Sequence, residues 1–233
     1  MSIKVKLNDG SIKEVKDNSS VLDLANSISR NLGKNAIVGE VNKTLVDLSY
    51  KLKDNDEVNI LTTDNEKAIE VLRHSISHIM AQAVKRIYKD AKLAIGPSIE
   101  NGFYYDFDIE NPLTTEDLEK IEQEMNNIIN ENLKFERMDV SREEALKLME
   151  EKNEPYKVEL INDLKEGEKI SLYKQGDYVD LCRGPHIPST KYVKAFKLTS
   201  VAGAYWRGNE KNKMLQRVYG VAFANKTLLD LFA

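Results

Sequence analysis

The sequence predicts an α+β protein of two domains, the larger one built on an antiparallel sheet, and three observations carry that reading. Ile3, Val5 and Leu7 alternate with Lys4 and Lys6 ahead of Asp9-Gly10, the pattern of a half-buried strand running into a hairpin turn. Ile69, Leu72, Ile76, Ile79, Ala83 and Ile87 recur at three- and four-residue intervals, the period of an amphipathic helix. From Tyr156 to Ala224 the chain reads mainly as strands and turns, so helices stand beside an antiparallel sheet.

Each element follows in order. Ile12 and Val15 begin the return strand of the first hairpin. Asn18, Ser19 and Ser20 offer caps for a helix holding Val21, Leu22, Leu24, Ala25 and Ile28 and ending near Gly33. Short strands are expected at 36–41 and 57–61, with Leu45 to Leu52 between them, which closes a first domain over residues 1–63. Thr62-Thr63-Asp64-Asn65 marks the boundary and caps the helix that opens a second domain over 64–224. There Ile95-Gly96-Pro97 and Asn101-Gly102 are turns, the second opening into an aromatic strand through Phe107. Thr115 starts a helix with Leu118, Ile121, Met125, Ile128 and Ile129 on one face, and a strand near 135–140 leads to the capping pattern Ser141-x-x-Glu144. Residues 225–233 look like the opening turns of an amphipathic helix whose Leu228, Leu229, Leu231 and Phe232 lack a partner surface. The expectation is a linker helix in the N-terminal piece of a longer protein.

Composition narrows the class. With 41% hydrophobic and 31% charged residues in a chain of 233, the sequence is that of a folded domain pair rather than a disordered segment. No apolar run approaches the roughly 18 residues of a membrane span, and Met-Ser-Ile-Lys-Val-Lys lacks the apolar region of a signal peptide. One cysteine forms no internal disulfide, so a reducing, cytoplasmic setting is expected. The net charge of −4 excludes a generally basic nucleic-acid binder but hides an asymmetry. Residues 106–168 carry 20 acidic and 8 basic side chains. Residues 183–217 carry 8 basic ones (Arg183, Lys191, Lys194, Lys197, Arg207, Lys211, Lys213, Arg217) against Glu210 alone, either a solvated surface or a face for phosphates.

All three histidines and the one cysteine fall into two motifs, His74-x-x-x-His78 and Cys182-x-x-x-His186. These are the side chains that bind metals and move protons near neutral pH. On a helix, His74 and His78 share a face. Gly184 and Pro185 put the second pair on a tight loop. Four such residues suit a tetrahedral zinc site, although the spacing is not that of a usual finger, and they suit equally a metal-free hydrolytic pocket. Packing alone is the bland alternative, since lone histidines and free cysteines are often simply buried.

The first domain, with two strands, a helix and further strands, resembles the ubiquitin-like β-grasp of TGS domains. Across the whole chain, Arg73-His74-Ser-x-x-His78, Ala94-Ile-Gly-Pro with Asn101-Gly-Phe-Tyr-Tyr-Asp, Tyr156-Lys157-Val158, Tyr178-Val-Asp180-Leu-Cys182-Arg-Gly-Pro-His186, and Gly203-Ala-Tyr-Trp-Arg-Gly with Lys213-Met-Leu-Gln-Arg are similar to the N-terminal half of bacterial threonyl-tRNA synthetases. That resemblance implies a TGS domain followed by an editing domain that hydrolyses serine wrongly esterified to threonine tRNA. It implies catalytic roles for His74, Lys157, Asp180, Cys182 and His186, and substrate contacts for His78, Tyr105 and Arg183. His74 and His186 would orient or deprotonate the water, Lys157 would stabilise charge at the ester, Asp180 would hold the substrate amine or the water, and Cys182 would gauge the serine side chain. The implied partner is the acceptor end of tRNA(Thr) carrying serine. No cofactor is expected in this piece, with zinc at His74, His78, Cys182 and His186 as the alternative. ATP, magnesium and a further zinc belong to the catalytic core of the full synthetase, a homodimer by resemblance. The rival from another class is a non-catalytic tRNA-binding module with a structural zinc.

Overall fold

The computed structural model describes residues 1–233. They group into two units, Met1–Leu72 with Gly184–Pro188, and Arg73–Arg183 with Ser189–Ala233.

In the first unit, β1 (Ser2–Leu7) turns through Gly10, whose φ of +87° favours glycine, into the antiparallel β2 (Ile12–Lys16). Helix α1 (Val21–Ile28) starts at Ser20, whose side chain accepts from Asp23 N while Asp23 accepts from Ser20 N in a closed capping box. The one helix expected to run to Gly33 is two. Ser29 is extended, ends α1, and caps α2 (Arg30–Asn35) by accepting from Leu32 N. Strands β3 (Val38–Val41), β4 (Thr44–Val46) and β5 (Glu57–Leu61) complete a sheet of order β2-β1-β5-β3-β4, with β1 and β5 parallel. Ile3, Val5, Val15, Val21, Leu24, Ala25, Val41 and Val58 fill one core between sheet and helix, the β-grasp arrangement.

Helix α3 (Glu66–Ile87) opens at Asn65, which accepts from Lys67 N. Its one-sided pattern understates it, because it is buried from Ala68 to Val84 apart from exposed Glu70 and half-buried His74. Its buried polar residues have partners: Arg73 donates to Ala222 O, and Gln82 exchanges hydrogen bonds with Gln175.

The second unit continues with β6 (Lys92–Leu93), β7 (Ser98–Ile99), β8 (Gly102–Asp108), α4 (Thr115–Asn130), β9 (Glu136–Val140), α5 (Arg142–Glu151), α6 (Pro155–Asn162), β10 (Ile170–Gln175), β11 (Tyr178–Leu181), β12 (Ala195–Tyr205), β13 (Met214–Phe223) and α7 (Lys226–Phe232). Two antiparallel sheets result. One has the order β11-β10-β9; the other has the order β12-β13-β8-β6, with β7 also on β8. The α+β class and the antiparallel sheets expected from the sequence are both present. Helix α6 departs from the expectation of strands and turns after Tyr156: Pro155 sits in its first turn, and Lys157 and Ile161, four apart, form its buried side. On α7, Leu228, Leu231 and Phe232 are exposed.

Candidate active site

Four elements of the second unit converge on one carboxylate. Asp180 comes from β11, and its side chain is fully buried. Its Oδ1 lies 2.8 Å from the Lys157 ammonium of α6. Its Oδ2 accepts from the Tyr105 hydroxyl of β8 at 2.8 Å and from the Tyr178 hydroxyl of β11 at 2.7 Å, and lies 3.0 Å from His78 Nδ1 of α3. Three of these donors thus crowd around Oδ2 and one lies against Oδ1. Lys157 also lies 5.3 Å from the centre of the Tyr105 ring, a cation–π contact that shields the ammonium from water.

The electrostatics follow from that packing. Burial opposes ionisation of Asp180, but the charges of Lys157 and His78 overcome it and hold the carboxyl well below its usual range. Burial likewise opposes charge on His78, and Asp180, followed by Cys182, reverses this and raises it to about 9. Burial, then the Asp180 charge, pushes the Tyr105 and Tyr178 hydroxyls well above 10, so both remain donors. The site therefore holds Asp180 ionised and His78 protonated at neutral pH.

His74 stands one turn before His78, their ring centres 4.8 Å apart. Its Nδ1 is 3.0 Å from Gly96 O, and a carbonyl only accepts, so the proton of the neutral ring resides on Nδ1. Nε2 is left as the acceptor, 3.1 Å from Cys182 Sγ. Ser77 Oγ donates to the same Gly96 carbonyl at 2.8 Å. A Cβ on Gly96 would fall 2.1 Å from the Tyr105 ring, so only glycine brings that carbonyl to the histidine. Cys182 follows β11 directly, and its backbone is held by Ser171 of β10 through Cys182 N to Ser171 O and Ser171 Oγ to Cys182 O.

Of the residues singled out in the sequence, His74, His78, Tyr105, Lys157, Asp180 and Cys182 are brought together here. His186 lies in Gly184–Pro188, the segment that groups with the first unit, where its backbone N–H donates to Asp47 Oδ1 at 2.8 Å. Gly184, with φ +74°, makes the expected turn. Arg183 is exposed, its guanidinium 3.4 Å from Glu168. Sequence reasoning passed over Tyr178, Ser77 and Gly96 as parts of the site. The strand period offered a signal for Tyr178, since Tyr178-x-Asp180 share a face.

The ligand atoms of His74, His78 and Cys182 lie within 4.8 Å of one another and suit a metal ion. Both histidines anchor Nδ1 on an acceptor, as zinc-ligating histidines do, so the donor set fits zinc. A proton must leave His78 before that ring can ligate.

The basic stretch is partly neutralised. Arg207 pairs with Asp163 and Glu159, Lys213 with Asp108, and Arg217 with Asp106. Lys191, Lys194, Lys197 and Lys211 remain exposed.

Residues 3–62 match the TGS domain family, and residues 170–219, from β10 into β13, match the second additional domain of threonyl and alanyl tRNA synthetases. The chain carries both domains. It is 62% identical over 230 residues to a threonine–tRNA ligase of Acetivibrio thermocellus, a match covering 99% of this chain and 36% of the relative. It is 58% identical over 227 residues to that of Clostridioides difficile, and 57% over 226 residues to that of Caldanaerobacter subterraneus, covering 97% of this chain in each case and 36% and 35% of the relatives. The chain thus spans about a third of the length of the curated relatives it matches. The second additional domain supplies Asp180, Cys182 and Tyr178. The TGS domain is the β-grasp unit. No helix is long and apolar enough to cross a membrane.

Proposed function

We propose that this chain is the proofreading part of a threonine–tRNA ligase, and that its second additional domain hydrolyses the ester of seryl-tRNA(Thr). The observation that carries this reading is the buried Asp180 anchor, which holds a lysine and a protonated histidine beside His74, whose Nδ1 is fixed on Gly96 O and whose Nε2 faces Cys182 Sγ. A general base next to fixed cations is what ester hydrolysis needs. Serine differs from threonine by one methyl group, worth only about 1–3 kcal/mol or roughly 10–200-fold in a binding pocket. A second site too tight for that methyl removes the error and spares the correct product.

In this mechanism His74 and His186, the latter carried by the loop after Cys182, orient the water and take its proton. The water oxygen adds to the ester carbonyl, Lys157 and protonated His78 stabilise the oxyanion, and the carbon–oxygen bond to the ribose breaks. The proton passes to the ribose oxygen, releasing serine and intact tRNA. Cys182 gauges the serine side chain and Tyr105 closes the pocket wall. Asp180 orients Lys157 and His78 and holds the substrate amine or the water. Arg183 and the exposed lysines meet the tRNA backbone. The full-length ligase joins threonine to tRNA(Thr) with ATP and magnesium, as a cytoplasmic homodimer with a zinc in its core. The domain limits that go with this reading are 1–63, 64–224 and a linker helix from 225.

Seryl- and threonyl-charged tRNA(Thr) incubated with the chain test the reading. Selective release of serine is expected; equal rates, or none above buffer, overturn it. A second reading, a non-catalytic tRNA-binding module with a structural zinc held by His74, His78, Cys182 and His186, draws on the anchored Nδ1 atoms; zinc would then hold the fold.

A further inference from the structure

We infer that Tyr178 is a positioning residue, fixing the rotation of the Asp180 carboxylate by donating its hydroxyl to Oδ2 at 2.7 Å. The inference rests on the editing reading and extends it to a side chain with no assigned role. Tyr178 and Asp180 stand two residues apart on β11, paired with Gln175 and Tyr173 of β10, so strand alternation sends both side chains to one face. Val179 and Leu181 take the other face, against Met149, Ile161 and Leu172.

The need for such a residue comes from the torsion of aspartate. Its terminal sp³–sp² bond has broad minima, so the carboxylate turns easily unless donors fix both oxygens. Lys157 holds Oδ1 from a long, flexible side chain on α6, while His78 and Tyr105 approach Oδ2 from α3 and β8. Tyr178 is the donor on Asp180's own strand, and its rigid ring keeps the hydroxyl in register with the carboxylate whatever the other three elements do. Tyr178 also lines a cavity of about 400 Å³ with Gln82, Leu93 and Glu154. With Oδ2 held, Oδ1 faces Lys157, and the ammonium stays aimed at the ester.

Tyr178→Phe keeps the ring and removes only the hydroxyl. In the 233-residue chain, serine release from seryl-tRNA(Thr) is expected to fall in kcat by about 10-fold, with KM within about twofold and little change in melting temperature. In an Asp180→Asn background the same substitution is expected to add less than about twofold, because both changes remove one interaction. An unchanged kcat, a loss confined to KM, or losses that multiply in the double variant overturn the role of Tyr178 while leaving the editing reading intact. Failure of the unaltered chain to release serine overturns the editing reading, and this role with it.

Discussion

Lys157 Nζ and Asp180 Oδ1 lie 2.8 Å apart with both side chains out of contact with water. Such a pair adds little to stability compared with apolar replacements, but losing one partner strands the other charge. Lys157→Ala is expected to destabilise the second unit by about 3–5 kcal/mol in urea titrations and to remove serine release. Lys157→Met, which fills the space but leaves Asp180 unpaired, should be destabilising as well. Wild-type stability in either variant would mean that the pair is not buried in solution.

His78 gives stability a pH dependence of definite sign. Its value in the fold, about 9, lies above the ordinary 6.5, so its pairing with Asp180 stabilises fully below about 6.5 and is lost as pH rises through 9. Asp180 behaves in the opposite sense: its contribution is present above its ordinary 3.8 and is lost as pH falls below that value. Melting temperatures from pH 6.5 to 9.5 should decline in the native chain. The decline should be much reduced in His78→Gln.

Gly96→Ala would bring a methyl group to 2.1 Å from the Tyr105 ring. Overpacking of this kind costs about 1–3 kcal/mol, and the shift would pull the carbonyl off His74 Nδ1. Serine release should fall by at least about 10-fold even where the protein remains folded. Retained activity would show that His74 does not depend on the Gly96 carbonyl for its tautomer.

Metal content separates the hydrolytic reading from its rival. Purified chain is expected to hold substoichiometric zinc and to melt at the same temperature with and without a chelator. One zinc per chain, with a fold that collapses on chelation, would favour the structural-metal reading.

The sequence made much of the fold and of the site legible, and the gaps have physical causes. Period and cap residues marked α3, α4, the first hairpin and β5, because each has an apolar face and a local end signal. The break at Ser29 was hidden because a serine inside an apolar pattern gives no warning that it will cap two helices at once. Helix α6 was hidden because eight residues with aromatic and β-branched side chains carry little period of their own. At the site, the two motifs drew attention to histidine and cysteine. The centre on which most of those residues depend is Asp180, an ordinary carboxylate until its four donors are seen together.

The alternation along β11 bears on folding as well as on chemistry. A slip of one residue against β10 would turn Asp180 towards Met149, Ile161 and Leu172 and bring Val179 or Leu181 to the lysine and the phenols. Every charge would lose its counterpart at once. The carboxylate thus acts as a key for strand alignment: a misregistered sheet carries an ionic penalty that the correct one avoids, and the groups gathered on Asp180 also select the pairing that holds them.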